Sequence, residues 1–577
     1  MSVTQIGAAC QIAAMVLILA LAAGATPGIA GPQAPTVLST ERRMVIVRLP
    51  DSRLLGTFVD TADGRRCIMG RYSSDNGFTW TEPEVLHALP DVTPAWGGPE
   101  TLVDSEGELH LFLMRRAEAQ DPMPAEYEGV AHGHANGYGG RLINIWYVRS
   151  SQGRTQFTDP RLIWWGYTGS LNSVIQMEGG RMLLPFSATA GRSWADRGEG
   201  FLQFAYMGSF NSTLIYSDDG GDTWMSAANP VMVEAPVHQT YGAIEPVVVQ
   251  LSDGRVWMLI RTQWGRFYES FSNDGTHWSP ARPTDIINSD SPAGLVRLDD
   301  GRLVLFANRC LRFPYAFGGR HVLHAAVSTD DGRTWRGWRE VARDPRREEP
   351  PPPGGDFGTA YPMPAVANDG RVIYSTGQGE GRALLMLLDP EWLMATGHES
   401  DFTGDGREEW SIFGTRGVGF RPHPADPNAA VLSLRKTSPD WPAATTWNFP
   451  IGARGRLRMR LMLVRGFGGA LIGLTDHWSA PFDEEDHLHN LFNVWIDRGG
   501  ILRDGRRVKP GEWHDLSLDW STTGSRRCRV SLDGEHVATV PLRRQTDGAN
   551  YLRVRSTAAE TDLRGMMIES VAVTIEP

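Results

Sequence analysis

Cysteine is scarce in this chain: four in 577 residues, with Cys67, Cys310 and Cys528 far apart and Cys10 close to the start. Thiols scattered in this way make neither a disulfide framework nor a metal-binding spacing. Positive charge is also in deficit. A formal net charge of −11 gives nucleic-acid binding no electrostatic support, so an anionic ligand has to be drawn by a local cluster of arginines. No stretch of helical hydrophobic period is long enough to rival the short apolar runs, which argues against a helical core. Charge of either sign is missing from the first thirty residues. They hold the apolar run Ala13–Ala23 and then Ala25-Thr-Pro-Gly-Ile-Ala30, with small residues at a cleavage position. Residues 1–30 are therefore expected to be a signal peptide and the mature protein to be secreted or periplasmic. The run is short for a membrane span and Cys10 lacks a lipobox, so no stable span is expected after signal removal.

What the chain does have is turn chemistry: 64 Gly, 37 Pro and 20 Trp. An eight-residue phrase, S-x-D-x-G-x-T-W, recurs at Ser73–Trp80, Ser217–Trp224 and Ser328–Trp335. A fourth copy, Ser272–Trp278, has lost one residue, and Ser150–Phe157 reads as a decayed fifth. Asp can bond the backbone of its own turn, Gly supplies a positive φ, and Trp anchors the turn on an apolar layer. The spacing of 55 and 56 residues between Asp219, Asp274 and Asp330 suits one four-stranded propeller blade with its loops. A second series agrees. Acidic or glycine turns followed by β-rich apolar runs recur at Asp63, Glu106, Gly180, Asp253, Asp300 and Asp369, which gives about six blades.

The repeats end near Asp389-Pro-Glu-Trp-Leu393, and Asp401-Phe-Thr-Gly-Asp-Gly406 reads as a linker turn. Its acidic residues partly imitate a calcium loop, but Ile412 stands where the last carboxylate would be, so no metal is expected. Beyond it, runs such as Gly455–Leu463 and Leu491–Ile496 alternate between Gly and Asp turns, as in a β-sandwich. The fold class expected is all-β, a six-bladed β-propeller over residues 40–395, a linker at 396–410, and a β-sandwich (jelly roll) over 411–577.

The repeated phrase resembles the Asp-box (BNR repeat) of the sialidase, or neuraminidase, superfamily. Gly511-Glu-Trp-His and Val530-Ser-Leu-Asp-Gly-Glu-His-Val resemble parts of laminin-G or concanavalin-like jelly rolls. The box itself is structural, so Asp75, Asp219 and Asp330 are not expected to be catalytic. A sialidase-like resemblance implies a glycan or glycoconjugate substrate, no cofactor, and cleavage of a terminal acidic sugar. The sugar's anomeric carboxylate calls for several guanidinium groups, whose planar forks match its oxygens. It also implies a Tyr nucleophile activated by Glu, and a separate Asp acid.

Glu245 and Arg261 lie in Ile244-Glu-Pro-Val-Val-Val-Gln-Leu-Ser-Asp-Gly-Arg-Val-Trp-Met-Leu-Ile-Arg261, which resembles the segment carrying the activating Glu and a carboxylate-binding Arg. Arg320, eight residues before the box serine Ser328, matches another triad arginine, and Tyr361 in Gly358-Thr-Ala-Tyr-Pro matches the nucleophile. Counting back from the Leu49-Pro50 turn gives Arg42 as the first triad arginine, with Arg43 as its neighbouring alternative. Asp63 fits the acid, with Asp60 as the fallback, in a loop shorter than the family's. Trp96-Gly-Gly-Pro-Glu100, His132, His134 and His238-Gln-Thr-Tyr241 are further candidates to shape a sugar cleft. An enzyme for another acidic polysaccharide and a non-catalytic glycan-binding protein are the alternative readings.

Overall fold

The structure is a computed structural model and describes residues 32–91, 96–118, 129–132, 141–151, 153–190, 210–234, 242–311, 319–349, 357–412, 416–481, 483–502 and 506–576. The expected signal peptide, His134 and His238–Tyr241 lie outside these residues.

Alternating apolar runs bounded by glycine turns fold as antiparallel sheets, and six follow one another along the first part of the chain. Blade 1 is Val45–Arg48, Leu54–Ala62, Arg65–Ser73 and Glu84–Ala88. Blade 2 is Trp96–Val103, Leu109–Glu118, Arg141–Ser151 and Arg161–Trp164. Blade 3 is Ile175–Gln176, Met182–Thr189, Phe210–Ser217 and Met225–Ser226. Blade 4 is Ile244–Gln250, Val256–Arg261, Arg266–Ser272 and Arg282–Ile287. Blade 5 is Gly294–Arg297, Leu303–Ala307, Val322–Ser328 and Arg336–Arg343. Blade 6 is Met363–Val366, Val372–Thr376 and Leu384–Leu388. Its outer strand is Thr36–Ser39, from before blade 1, with Thr36 opposite Leu387. That pairing ties the start of the propeller to its end and leaves no open edge there.

The Asp-boxes occupy the turn between the third and fourth strands of blades 1, 3, 4 and 5. In blade 1 the Thr79 amide and hydroxyl donate to the two oxygens of Asp75 at 2.9 and 2.6 Å, and the Gly77 amide donates to Ser73 Oγ at 2.8 Å. The same bonds recur around Asp219 and Asp330. The box glycine also touches the preceding blade around the ring. A Cβ on Gly77 would lie 2.3 Å from Ile373 of blade 6, and one on Gly221 2.0 Å from Tyr147 Oη of blade 2. A Cβ on Gly332 would lie 2.8 Å from Trp257 of blade 4. The box thus does two jobs: it closes its own hairpin and leaves room for the neighbouring sheet.

The C-terminal part is two packed antiparallel sheets of eight and five strands, around a core that includes Trp447, Phe449, Leu461 and Trp520. Residues 396–410, expected to be a linker, belong to this unit. Gly397–Ser400 pairs with Asp562–Ile575, and Phe402 and Trp410 are buried in the sandwich core. Burial of the two aromatics outweighs the turn-like Gly and Asp composition around them. The sandwich packs on blade 5. Tyr551 Oη donates to Glu340 Oε1 at 2.7 Å, the Glu340 amide donates to Asn448 Oδ1 at 2.9 Å, and Trp478 stacks on His321 at 4.6 Å.

Gly221→Ala is expected to destabilise the protein by about 2 kcal/mol or more, because the residue has φ +91 and the methyl meets a tyrosine already bonded to His110. Denaturant unfolding checks this; an unchanged midpoint would remove the interblade role of the box glycine.

Candidate active site

The inner strands of the blades present corresponding positions to the propeller axis. Arg43, Gly98, Glu245 and Tyr361 each lie two residues before Val45, Glu100, Val247 and Met363, and each of those lies seven before the turn residue Ser52, Gly107, Gly254 or Gly370. Three of the four have left-handed backbone: Gly98 at φ +103, Glu245 at φ +46 and Tyr361 at φ +60. Blades 2 and 4 shift register there, between Gly97 and Glu100 and between Ile244 and Val247. A non-glycine residue at positive φ costs about 1–3 kcal/mol, so two of them facing one another mark a place where geometry is held against local preference.

What holds it is a buried polar network. Tyr361 Oη donates to Glu245 Oε1 at 2.9 Å. Arg261 Nη1 donates to the other oxygen of Glu245 and, at 3.2 Å, to Tyr361 Oη. Arg261 Nε donates to Asp290 Oδ1 at 2.7 Å. Arg320 caps the same loop: its Nη2 donates to the Asp290 carbonyl at 2.8 Å and its Nη1 to Gln378 Oε1 at 2.7 Å. Glu245, Arg261, Asp290 and Arg320 are all buried. Burial alone would lower the Arg261 pKa, but Asp290 and Glu245 outweigh it and leave it raised. The backbone beside Tyr361 is pinned as well. The Thr359 amide donates to the Arg320 carbonyl at 2.8 Å, and a Cβ on Gly358 would lie 2.0 Å from that oxygen.

Four of the residues singled out in the sequence, Glu245, Arg261, Arg320 and Tyr361, are thus brought together. Arg42 is not. Its guanidinium ion-pairs with Asp60 at 2.7 Å and lies over Phe58, exposed. Adjacent residues of extended chain point to opposite sides, so the neighbouring Arg43 takes the inward place. Arg43 Nη2 donates to the Tyr361 carbonyl at 2.8 Å, and its guanidinium lies 5.9 Å from the centre of the Tyr361 ring, with that of Arg320 at 5.6 Å. Asp63, at φ +50, is exposed at the tip of the hairpin joining Leu54–Ala62 to Arg65–Ser73. Val45 pairs with Thr57, so this hairpin rises from the end of blade 1 that carries Arg43. His132 is exposed and bridges Trp165.

The sequence did not point to Asp290 or Gln378, and it offered Glu100 only as part of a phrase. Asp290 lies in Asn288-Ser-Asp-Ser, where nothing but a buried acid in a small-residue turn could have signalled it. Glu100 is 8 % exposed. Burial pushes its carboxyl up to about 8, against the opposing effects of the Thr101 amide and Arg43.

Residues 94–373 match a family described as BNR repeat-like domain. Over 321 residues the chain is 27 % identical to a sialidase of Micromonospora viridifaciens, a match covering 50 % of this chain and 44 % of that relative. The greater part of the propeller is thus similar to a BNR repeat-like domain. The chain spans less than half the length of that curated relative. Among solved structures, a Trypanosoma rangeli sialidase in complex with the inhibitor DANA aligns over 92 % of this chain and 91 % of its own, at 12 % identity and a TM-score of 0.37. A Dyadobacter fermentans protein of unknown function aligns over 62 % and 97 %, at 17 % identity and a TM-score of 0.42.

In the propeller, Glu100 binds a proton when folded that it has lost when unfolded, across the window from the ordinary carboxylate value up to about 8. Its burial therefore costs stability that grows as pH rises through that window and levels off above it. Glu100→Gln is expected to be more stable than the parent by roughly 4 kcal/mol at pH 8 and about equal to it at pH 4. Paired thermal melts at the two pH values check this, and a difference independent of pH would refute it.

Proposed function

We propose that this protein is an exported glycoside hydrolase of the sialidase type, cleaving a terminal sialic acid or related acidic sugar from glycans. The observation that carries the reading is the meeting of three guanidinium groups, Arg43, Arg261 and Arg320, around a tyrosine whose hydroxyl already donates to a buried glutamate. The relative's description as a sialidase supports it. So does the uncharged, apolar start of the chain, which fits export.

In this reading the arginines grip the sugar's carboxylate. Glu245 takes the Tyr361 proton while the phenolic oxygen forms a bond to the anomeric carbon. The bond from that carbon to the leaving oxygen breaks, and Asp63 gives that oxygen a proton. Water, losing a proton to Asp63, then displaces the tyrosine oxygen, which recovers its proton from Glu245. A neutral tyrosine paired with a carboxylate suits a substrate that is itself anionic at the reacting carbon, since a bare carboxylate nucleophile would be repelled. Arg43 rather than Arg42 completes the grip, and the Arg42–Asp60 pair braces the base of the hairpin that carries Asp63.

Release of fluorophore from a fluorogenic sialoside tests the reading. Tyr361→Phe is expected to lower kcat on the order of 1,000-fold while the protein stays folded. An unaffected rate would remove Tyr361 from the chemistry, and no turnover by the folded parent would sink the sialidase reading.

A further inference from the structure

We propose that Glu100 is a substrate-binding residue at the floor of the Tyr361 pocket, where its carboxyl hydrogen-bonds a ring hydroxyl of the bound acidic sugar. This rests on the sialidase-type reading and extends it to which face of the sugar is recognised.

The placement follows from the register of the inner strands. Glu100 stands one pleat step further along its strand than Gly98, as Val45 does from Arg43 and Met363 from Tyr361. Glu100, Val45 and Met363 line one end of a cavity of about 890 Å3 that runs from this level to the turn ends of the inner strands at Ser105, Gly180 and Gly301, so Glu100 stands between that cavity and the level of Tyr361. Blades 1, 4 and 6 carry a large side chain at the step above. Blade 2 carries Gly98, whose φ of +103 and whose 3.1 Å approach of a built Cβ to the Phe112 carbonyl keep a side chain out. No side chain of blade 2 therefore stands between Glu100 and the level of Arg43 and Tyr361.

The carboxyl is placed but not satisfied. Oε1 takes only a long 3.3 Å bond from the Thr101 amide, and Oε2 has no hydrogen-bond partner among the described residues. Arg43 Nε, from the adjoining blade, is likewise buried without a partner among them. Two unpaired polar atoms in one buried corner are costly unless a ligand uses them. The charged group acting on Glu100 is Arg43. The other guanidiniums of this corner are turned to Trp96, Arg66 donating to its carbonyl and Arg115 lying over its ring. The remaining side chain packed there, Thr101, is bonded to Thr57. A neutral carboxyl both donates and accepts, as a sugar hydroxyl does. It also leaves Arg43 to the substrate's carboxylate. Ionised, Glu100 would lose its donor and compete for Arg43.

Calorimetric titration with DANA tests this on the full chain as parent, Glu100→Gln and Glu100→Met, at pH 6.5 and 9. The parent is expected to lose about tenfold in affinity between the two pH values as the carboxyl ionises. Glu100→Gln, which keeps a donor and an acceptor, is expected to bind within about threefold of the parent at pH 6.5 and to lose the pH dependence. Glu100→Met is expected to bind about tenfold more weakly at pH 6.5. A parent affinity flat with pH, or a pH dependence kept by Glu100→Gln, overturns the proposal while leaving the sialidase-type reading standing. Failure of the folded parent to bind DANA overturns both.

Discussion

Arg261 is the member of the site on which the others depend. It sits between two buried carboxylates, Glu245 and Asp290, and reaches the Tyr361 hydroxyl as well. Three blades are joined through this one guanidinium: Glu245 and Arg261 come from blade 4, Asp290 from the approach to blade 5, and Tyr361 from the approach to blade 6. A buried charge without its partners costs several kcal/mol, whereas a fully bonded triad fixes one arrangement. The positive φ angles of Glu245 and Tyr361 are tolerated because the network between their side chains leaves the backbone no cheaper alternative that keeps the bonds. Strain and hydrogen bonding are therefore one feature here, seen from the backbone and from the side chains.

The same reasoning explains why the scaffold is rigid enough to hold such a site. Each Asp-box ties its own turn through Ser and Thr hydroxyls, and its glycine lets the preceding blade's sheet approach. Blade spacing is thus set at the outer edge by turns that admit little variation, and the inner strands inherit a common register from it. That register brings Arg43, Glu245 and Tyr361 to equivalent points around the axis. The sandwich contributes at one sector of the ring. Trp478 packs on His321, next to Arg320, and its amide donates to the Arg309 carbonyl at 2.8 Å. The strand that follows Arg320 is consequently covered by the second domain instead of solvent.

Much of this was legible in the residues, and the parts that were not share a physical cause. The boxes declare themselves because a turn needs particular residues at particular offsets. Glu245, Arg261, Arg320 and Tyr361 stood out because the segments around them resemble those of the sialidase superfamily. Arg42 against Arg43 was harder, since a count off by one in extended chain moves a side chain to the other face. Glu100 shares its offset with apolar residues of the other inner strands, so the pattern gave no reason to single it out, and Asp290 lies between strands, where no periodicity applies. Residues 396–410 read as a linker because of the Asp401–Gly406 turn phrase, while Phe402 and Trp410, which decide their place, are only two residues among fifteen.

Blade 2 departs from the pattern in the way that bears most on chemistry. Blades 1, 4 and 6 carry a large polar side chain at this axial position, whereas blade 2 places glycine there and sets an acid one step deeper. A carboxyl in that place is expensive for the empty protein, being buried, incompletely bonded and pushed up to about 8. Structural needs do not call for it, since an apolar residue of similar size would fill the same space without that cost. The hairpin bearing Asp63 is, in turn, short and exposed at the neighbouring blade. In the proposed reading the sugar's carboxylate falls to Arg43, Arg261 and Arg320 and a ring hydroxyl to Glu100, with Arg43 acting on both Glu100 and Tyr361.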